Sequence, residues 1–510
     1  MVSNTEIETD NTSKKTSLKT VEKFIFKIDN NVIKKQEATT DRKPDGATNG
    51  TCETFKSRLC EDKDFRLKIL VWMCLCWSFV VLGWVMGQLG PSLLDLQEIS
   101  HSSLEAASLF VTSTFIGYLT GSVINGSIFD RTDAYLILVI GLFLMASSSA
   151  AIPFCSIYVV MVVMHVVKGI GGGILDSAGN SLLMLKFRDE KSARSYLQTL
   201  HFTFAIGGIM SPIATAPFLM STLDPEKNIT AMLNMTNISH CCPGEEATVT
   251  SEPFTSHYRQ NTTMNDNNQQ SVLYQAYLIS AGLCVLAAIP FLLLSFNSKS
   301  KSKKNKSKNG DNLQRKLPPT LKCFILVFMC LFLGTENGME DAYFGFFTTF
   351  TVKQYGWTKT RGSYAASLYW AAYAFGRFSA IFIASHFKPS TLLRIYSIML
   401  LLCVVGLYVS TLLTFHTGVW IFSPMIGFSI SVFFPSIFLW TEEDFMSVTG
   451  RVASLLMISA SLGCMVNPII IGYLMDNLNP IWFINISLVQ SSAALCMAWV
   501  ATFLSWYVKR

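Results

Sequence analysis

Charge is scarce in this sequence. Only 15% of its 510 residues are Asp, Glu, Lys or Arg, against about 25% in an ordinary soluble domain, which excludes a solvated globular exterior over most of the length. Histidine is rarer still, with 7 in the chain, and no Cys/His spacing matches a zinc site, so no metal ligands and no cofactor are expected. No nucleophile–base set is legible, so no catalytic residue is assigned and the chain does not read as an enzyme. Residues 1–64 lack the apolar core of a signal peptide. They are polar, mixed in charge and rich in Thr, Lys and Asn, and are expected to form a disordered cytosolic arm. The 13 cysteines do not make a disulfide framework, because Cys74, Cys76, Cys330, Cys403 and Cys496 lie inside apolar runs as small hydrophobes. The net charge of +6 is gathered beside apolar segments, which argues against a nucleic-acid partner.

Apolar length is what the chain has in quantity. A membrane span needs roughly 20 predominantly apolar residues. Twelve such stretches occur, near 67–93, 104–128, 134–153, 157–182, 195–222, 273–296, 320–347, 361–385, 391–414, 417–440, 450–475 and 480–507. The fold class is therefore an all-α membrane protein of twelve transmembrane helices, with the lipid bilayer as its solvent. Three pairs of positions recur at one distance: Gly121 with Gly376 (376 − 121 = 255), Ile170-Gly171 with Ile426-Gly427 (427 − 171 = 256), and Gly207-x3-Ser-Pro-Ile with Gly463-x3-Asn-Pro-Ile (463 − 207 = 256). The repeat divides the spans into two pseudo-symmetric six-helix halves, 65–296 and 320–510, joined by a basic linker at 297–319. Duplicated helix bundles are the signature of secondary transporters, with the substrate site between the repeats at the midplane.

Lys and Arg near span ends set orientation. The run from Lys299 to Lys322 and the group Lys186, Arg188, Lys191 and Arg194 place both segments, and both termini, in the cytosol. The loop 223–272 has only Lys227 and Arg259, and carries glycosylation sequons at Asn228, Asn234, Asn237 and Asn261, so it is expected outside. Cys155 could pair there with Cys241 or Cys242. One short loop dissents, with Lys353, Lys359 and Arg361 on the outer side.

Charged side chains inside spans are disfavoured by about 2.5–3.5 kcal/mol each on insertion scales and mark pathways or ion sites. Asp176 lies mid-way along the fourth span, with Asn180 one turn on. The repeat puts Val432 opposite it, so the acid is an addition to a symmetric frame; the alternative is a structural ion pair with Lys168 or His165. In the seventh span Glu336 and Glu340 share a face, where like charges repel. Gly334, Gly338 and Gly345 are expected to let that helix break and expose carbonyls. Glu340 is assigned with Asp176 and Asn180 to cation coupling, whereas Asp341 reads as an ordinary headgroup-region acid. Polar and aromatic candidates for the solute are Gln88, Gln198, His201, Asn337, Trp370 and Asn467, each of which could instead serve interhelical packing. Asp130, ending the second span, and Arg451, starting the eleventh, are expected to pair as a cytosolic gate.

Gly121-x4-Gly126-x3-Asp130-Arg131, Lys168-x3-Gly172 and Gly207 to Pro212 together resemble signatures of the major facilitator superfamily. Within it the chain is most similar to the fucose permease family of sugar symporters, through Asp176 with Asn180 and the Leu197–Phe204 segment. The resemblance implies that Asp176 couples a cation. It also implies, through Gly90–Leu96, His101–Leu104 and Thr441–Asp444, kinship with animal sodium-coupled hexose carriers of the plasma membrane. The expected activity is sodium-coupled uptake of a hexose by a monomeric carrier. The alternatives are a facilitative or proton-coupled carrier of another small polar solute, or a non-transporting membrane receptor or scaffold.

Overall fold

Backbone groups inside a bilayer have no water to bond, so long apolar runs must satisfy them within helices. The structure, a computed structural model, describes residues 62–187, 193–220, 272–297, 318–383, 387–446, 448 and 450–509. Among the described residues there is no strand. The long helices are α1 (Lys63–Gly87), α3 (Leu104–Ile128), α4 (Ala134–Ala151), α5 (Tyr158–Lys186), α6 (Ala193–Thr215) and α7 (Leu273–Asn297) in the first half. The second half has α8 (Pro319–Tyr355), α9 (Lys359–Ile383), α10 (Pro389–Leu412), α11 (His416–Ile430), α13 (Gly450–Asn477) and α14 (Trp482–Lys509). Short helices α2 (Leu89–Ile99) and α12 (Phe433–Trp440) extend the first and tenth spans. Each of the twelve expected spans is thus a helix. Eleven are long and apolar enough to cross a membrane; α9, which begins at Lys359 and carries Arg361 and Arg377, is not among them.

Two breaks have an identifiable cause. Pro91 has no N–H to give the Gly87 carbonyl, and the first span breaks at Gln88 between α1 and α2. Pro435 likewise leaves the Ser431 carbonyl without its partner, and the tenth span breaks between α11 and α12. The seventh span was expected to break at its glycines and does not: α8 runs unbroken for 37 residues. Its glycines serve close packing instead. A Cβ at Gly463 of α13 would lie 1.9 Å from the Gly334 carbonyl oxygen, and one at Gly338 would lie 2.9 Å from that of Gly463.

The repeat shows in the packing. A Cβ at Gly207 would lie 1.9 Å from the Val80 carbonyl oxygen, so α6 presses on α1 as α13 presses on α8. Gly121 meets Ile170 across α3 and α5, and Gly376 meets Phe428 and Ser431 across α9 and α11, which are equivalent pairs. Gly171 and Gly427 differ: the first faces Gly141 and Met145 of α4, the second Tyr369 of α9.

The chain divides into two compact units. In the smaller one, the described residues are 62–77 at the start of α1 and the segments near 179–201. Trp72 Nε1 donates to the Tyr196 carbonyl at 3.2 Å, and the Tyr196 ring also packs on Phe187. The larger unit, Ser78–Ala178 with Phe202–Arg510, draws on both sequence halves.

Candidate solute and cation site

Within the larger unit the two halves meet closely toward the end from which the 221–271 segment departs. Asp95 of α2 and Lys359 of α9 form an ion pair of 2.7 Å, with side chains 0% and 3% exposed. The same ammonium reaches Glu98 at 3.0 Å, and the Met220 N–H donates to the second Asp95 oxygen at 2.8 Å. Gly90 abuts the Phe344 carbonyl and Gly472 abuts Ser108. Thr112 Oγ1 donates to the Met465 carbonyl at 2.9 Å. Phe344 stacks on Trp370 at 3.8 Å, and Trp370 covers Gly208. That end is closed.

These contacts account for the dissenting basic loop. Lys359 is held by Asp95 and Glu98. The Arg361 guanidinium lies 4.2 Å from the centre of the Trp357 ring, and Lys353 approaches Asp476 at 3.9 Å. The positive charge there answers acids and an aromatic face rather than setting orientation.

On the first-half side, Asp176 is half-buried and accepts a hydrogen bond from the Tyr118 hydroxyl. The alternative expectation, an ion pair with Lys168 or His165, is not what forms. Lys168 is 1% exposed and no acid or acceptor pairs with its ammonium among the described residues. His165, fully buried, donates from Nδ1 to the Met161 carbonyl at 2.9 Å and stacks on Phe110 at 5.0 Å; its Nε2 has no partner. Gln88, at the helix break, accepts from the Ser280 hydroxyl at 2.7 Å through Oε1, which leaves Nε2 unpartnered. Ser280 in turn accepts from Trp84 Nε1 at 2.9 Å.

The second-half side presents acids. Both oxygens of Glu336 are buried without a partner, as is one oxygen of Asp341. Asp341 was expected among lipid headgroups; it is instead buried inside the bundle. Glu340 accepts from the Tyr373 hydroxyl, and its carboxylate lies 3.8 Å from Arg377, whose guanidinium covers the Tyr373 ring at 4.7 Å. The Tyr369 hydroxyl is buried and unpartnered, and its ring stacks on Tyr343 at 5.3 Å.

Other expected residues fall as follows. Asn467 donates to the Gly338 carbonyl at 2.6 Å and accepts from Gln490 at 3.2 Å, tying α13 to α8 and α14. Asn337 is half-buried, and its carbonyl accepts from the Cys464 thiol at 3.5 Å. Asn180, Gln198 and His201 belong to the smaller unit, where Gln198 is exposed and the other two half-buried. Asp130 is exposed, and the side chain of Arg451 lies outside those described. The sequons at Asn228, Asn234, Asn237 and Asn261, and Cys241 and Cys242, lie outside the described residues. The sulfur of Cys155 bonds the Ala151 carbonyl at 3.3 Å. Sequence reasoning passed over Asp95, Lys359 and Lys168 as functional residues. Lys168 carried a usable signal, a lysine ten positions inside a span.

The Major Facilitator Superfamily model matches residues 270–468. Sodium-dependent glucose transporter 1 of Danio rerio is 29% identical over 80% of this chain, which spans 65% of that protein, just under two thirds of its length. The Xenopus laevis protein of that name is 30% identical over 76% of this chain and 72% of its own length. Among solved structures, the E. coli fucose:proton symporter FucP superposes with a TM-score of 0.52 at 15% identity, covering 85% of this chain and 99% of FucP. A bacterial homologue of the human lysosomal transporter Spinster gives 0.59 at 11% identity, covering 86% and 96%. Fold, helix packing and relatives agree: this multi-pass membrane protein belongs to the Major Facilitator Superfamily, among the relatives of sodium-dependent glucose transporter 1.

Proposed function

We propose that the protein takes up glucose or a related hexose together with Na+ at the plasma membrane. Its termini would be cytosolic and the glycosylated segment outside, and it would work as a monomer by alternating access. The observation that carries this reading is Asp176, a half-buried carboxylate inside a span that accepts a hydrogen bond from the Tyr118 hydroxyl. A cation there neutralises the acid and lowers its cost at the midplane. The Asp95–Lys359 pair holds the outer end shut; its opening, with the Gln88 break as a flexible joint, admits cation and solute. Each positive charge carried inward gains about 2.3 kcal/mol per 100 mV, enough to drive modest accumulation.

A second reading, coupling to protons, draws on Glu336 and Asp341, whose unpartnered buried oxygens favour carboxyls that carry a proton, since isolated buried charge is costly. Thermal unfolding of the purified protein across a panel of sugars, with Na+ or with choline at fixed pH, separates these readings. Sodium coupling predicts a hexose-induced rise in Tm that needs Na+. A rise indifferent to Na+ but sensitive to pH favours the proton. No response to any solute favours a receptor or scaffold.

A further inference from the structure

The pair that Arg377 of α9 makes with Glu340 of α8 is too open to serve structure alone. The guanidinium stands 3.8 Å from the carboxylate, whereas a closed Arg–carboxylate contact sits at about 2.7–2.9 Å. Arg377 Nε is buried without a partner. Among the described residues the Glu340 carboxylate accepts a hydrogen bond from the Tyr373 hydroxyl, one of the roughly four its two oxygens can take. Both groups face into the bundle. On α9 the exposed apolar and aromatic side chains Tyr364, Leu368, Phe375 and Phe382 share one side; Arg377, two positions past Phe375, is turned from it by about 200°. On α8 the outer side is marked by Phe324, Val327 and Leu331, and Glu340, nine positions past Leu331, is turned by about 180°. The side-chain exposures of 23% for Arg377 and 15% for Glu340 are therefore to space inside the bundle. Tyr373, which touches the stacked Phe344 and Trp370 rings, lies between that closed layer and Arg377. The buried, unpartnered Tyr369 hydroxyl is near enough to Glu340 to feel its charge.

We infer that Arg377 and Glu340 form a solute subsite in the second half, built for two neighbouring hydroxyls of an uncharged sugar ring, which rests on the transport reading above and names what that half holds. A hydroxyl both donates and accepts. One sugar hydroxyl donates to the open acceptor positions of Glu340, and its neighbour accepts from the guanidinium, whose planar fork offers donors side by side. Tyr373 is the positioning residue, fixing the carboxylate from the side away from Arg377. Carboxylate and guanidinium cancel each other, so an uncharged polyol leaves the charge balance of the bundle as it was. Glu340 thereby passes from the cation, where its sequence placed it, to the solute. A cation bound at Glu340 would meet the positive charge of Arg377 a few ångströms away, a repulsion that the hydroxyls of a sugar do not feel.

The test is binding of radiolabelled D-glucose to the purified protein in Na+, with each single-deoxy glucose as competitor. Wild type is compared with Arg377→Lys, Glu340→Gln and Tyr373→Phe. In wild type, removing either of two neighbouring hydroxyls is expected to weaken binding by roughly tenfold or more, and removing any other to matter much less. In Arg377→Lys, glucose itself is expected to weaken to a similar degree, and one of those two analogues to bind as well as glucose, because the donor it fails to use is already gone. Glu340→Gln is expected to do the same for the other analogue. Tyr373→Phe should weaken glucose several-fold and keep the two-position pattern. A merely structural role would weaken glucose and every analogue alike. The wild-type panel requires no variant to fold: if no neighbouring pair of hydroxyls stands out there, or the pattern survives unchanged in Arg377→Lys and Glu340→Gln, the inference falls while the hexose reading stands. If wild type binds neither glucose nor any analogue, both fall together.

Discussion

The two halves of the bundle share a frame and differ in what they bury. Gly207 and Gly463 each bring a helix backbone onto its neighbour, with the same 1.9 Å approach of a would-be Cβ to a carbonyl. Yet the unpartnered polar groups of the first half include the nitrogens of Gln88 and His165, whereas those of the second half include the oxygens of Glu336, Asp341 and Tyr369. Backbone contact preserves a glycine through duplication, because any side chain there forces the helices apart. Polar interior positions carry no such constraint, so the copies are free to take opposite chemistry.

The strongest way to break this comparison is at the one place, among the described residues, where the halves are joined by a buried ion pair. Lys359→Met leaves Asp95 buried and unpaired and is expected to cost about 3–5 kcal/mol, seen as a lower Tm in detergent. The exchange Asp95→Lys with Lys359→Asp is expected to recover part of that loss, as an ion pair requires and a packing role does not. Within the second half, Glu340→Gln removes the charge facing Arg377 and is expected to cost about 1.5–3 kcal/mol, while Glu336→Gln, which has no partner to lose, should stay within about 1 kcal/mol. Equal losses at both sites would mean the acids form one network.

The shared frame is sharpened by Gly207→Ala and Gly463→Ala, which should each destabilise by about 1–3 kcal/mol through overpacking and do so to a similar degree. Gly282→Ala, where an added Cβ meets nothing within 4 Å, should be neutral or gain up to about 1 kcal/mol of helix propensity.

Span positions were legible because a bilayer allows one backbone solution, and the glycine repeat was legible because close approach tolerates few residues. Two things were not. The break in the seventh span was read from Gly334, Gly338 and Gly345, but glycine permits a break without requiring one. Proline forces the issue by withholding a hydrogen bond, and the breaks follow Pro91 and Pro435. Ion-pair partners were not legible either, since Asp95 and Lys359 are 264 positions apart and each alone looks like an ordinary flank. Asp176 was found because a lone acid inside a span stands out, but its partner Tyr118 could not be chosen from sequence among the many hydroxyls nearby.

Uptake into proteoliposomes under an imposed inward Na+ gradient, compared with choline at fixed pH, is the most direct trial of the central claim. Wild type should accumulate solute only with Na+, and Asp176→Asn, folded and still binding solute, should show no Na+ dependence. Undiminished Na+-driven accumulation in Asp176→Asn would contradict the account.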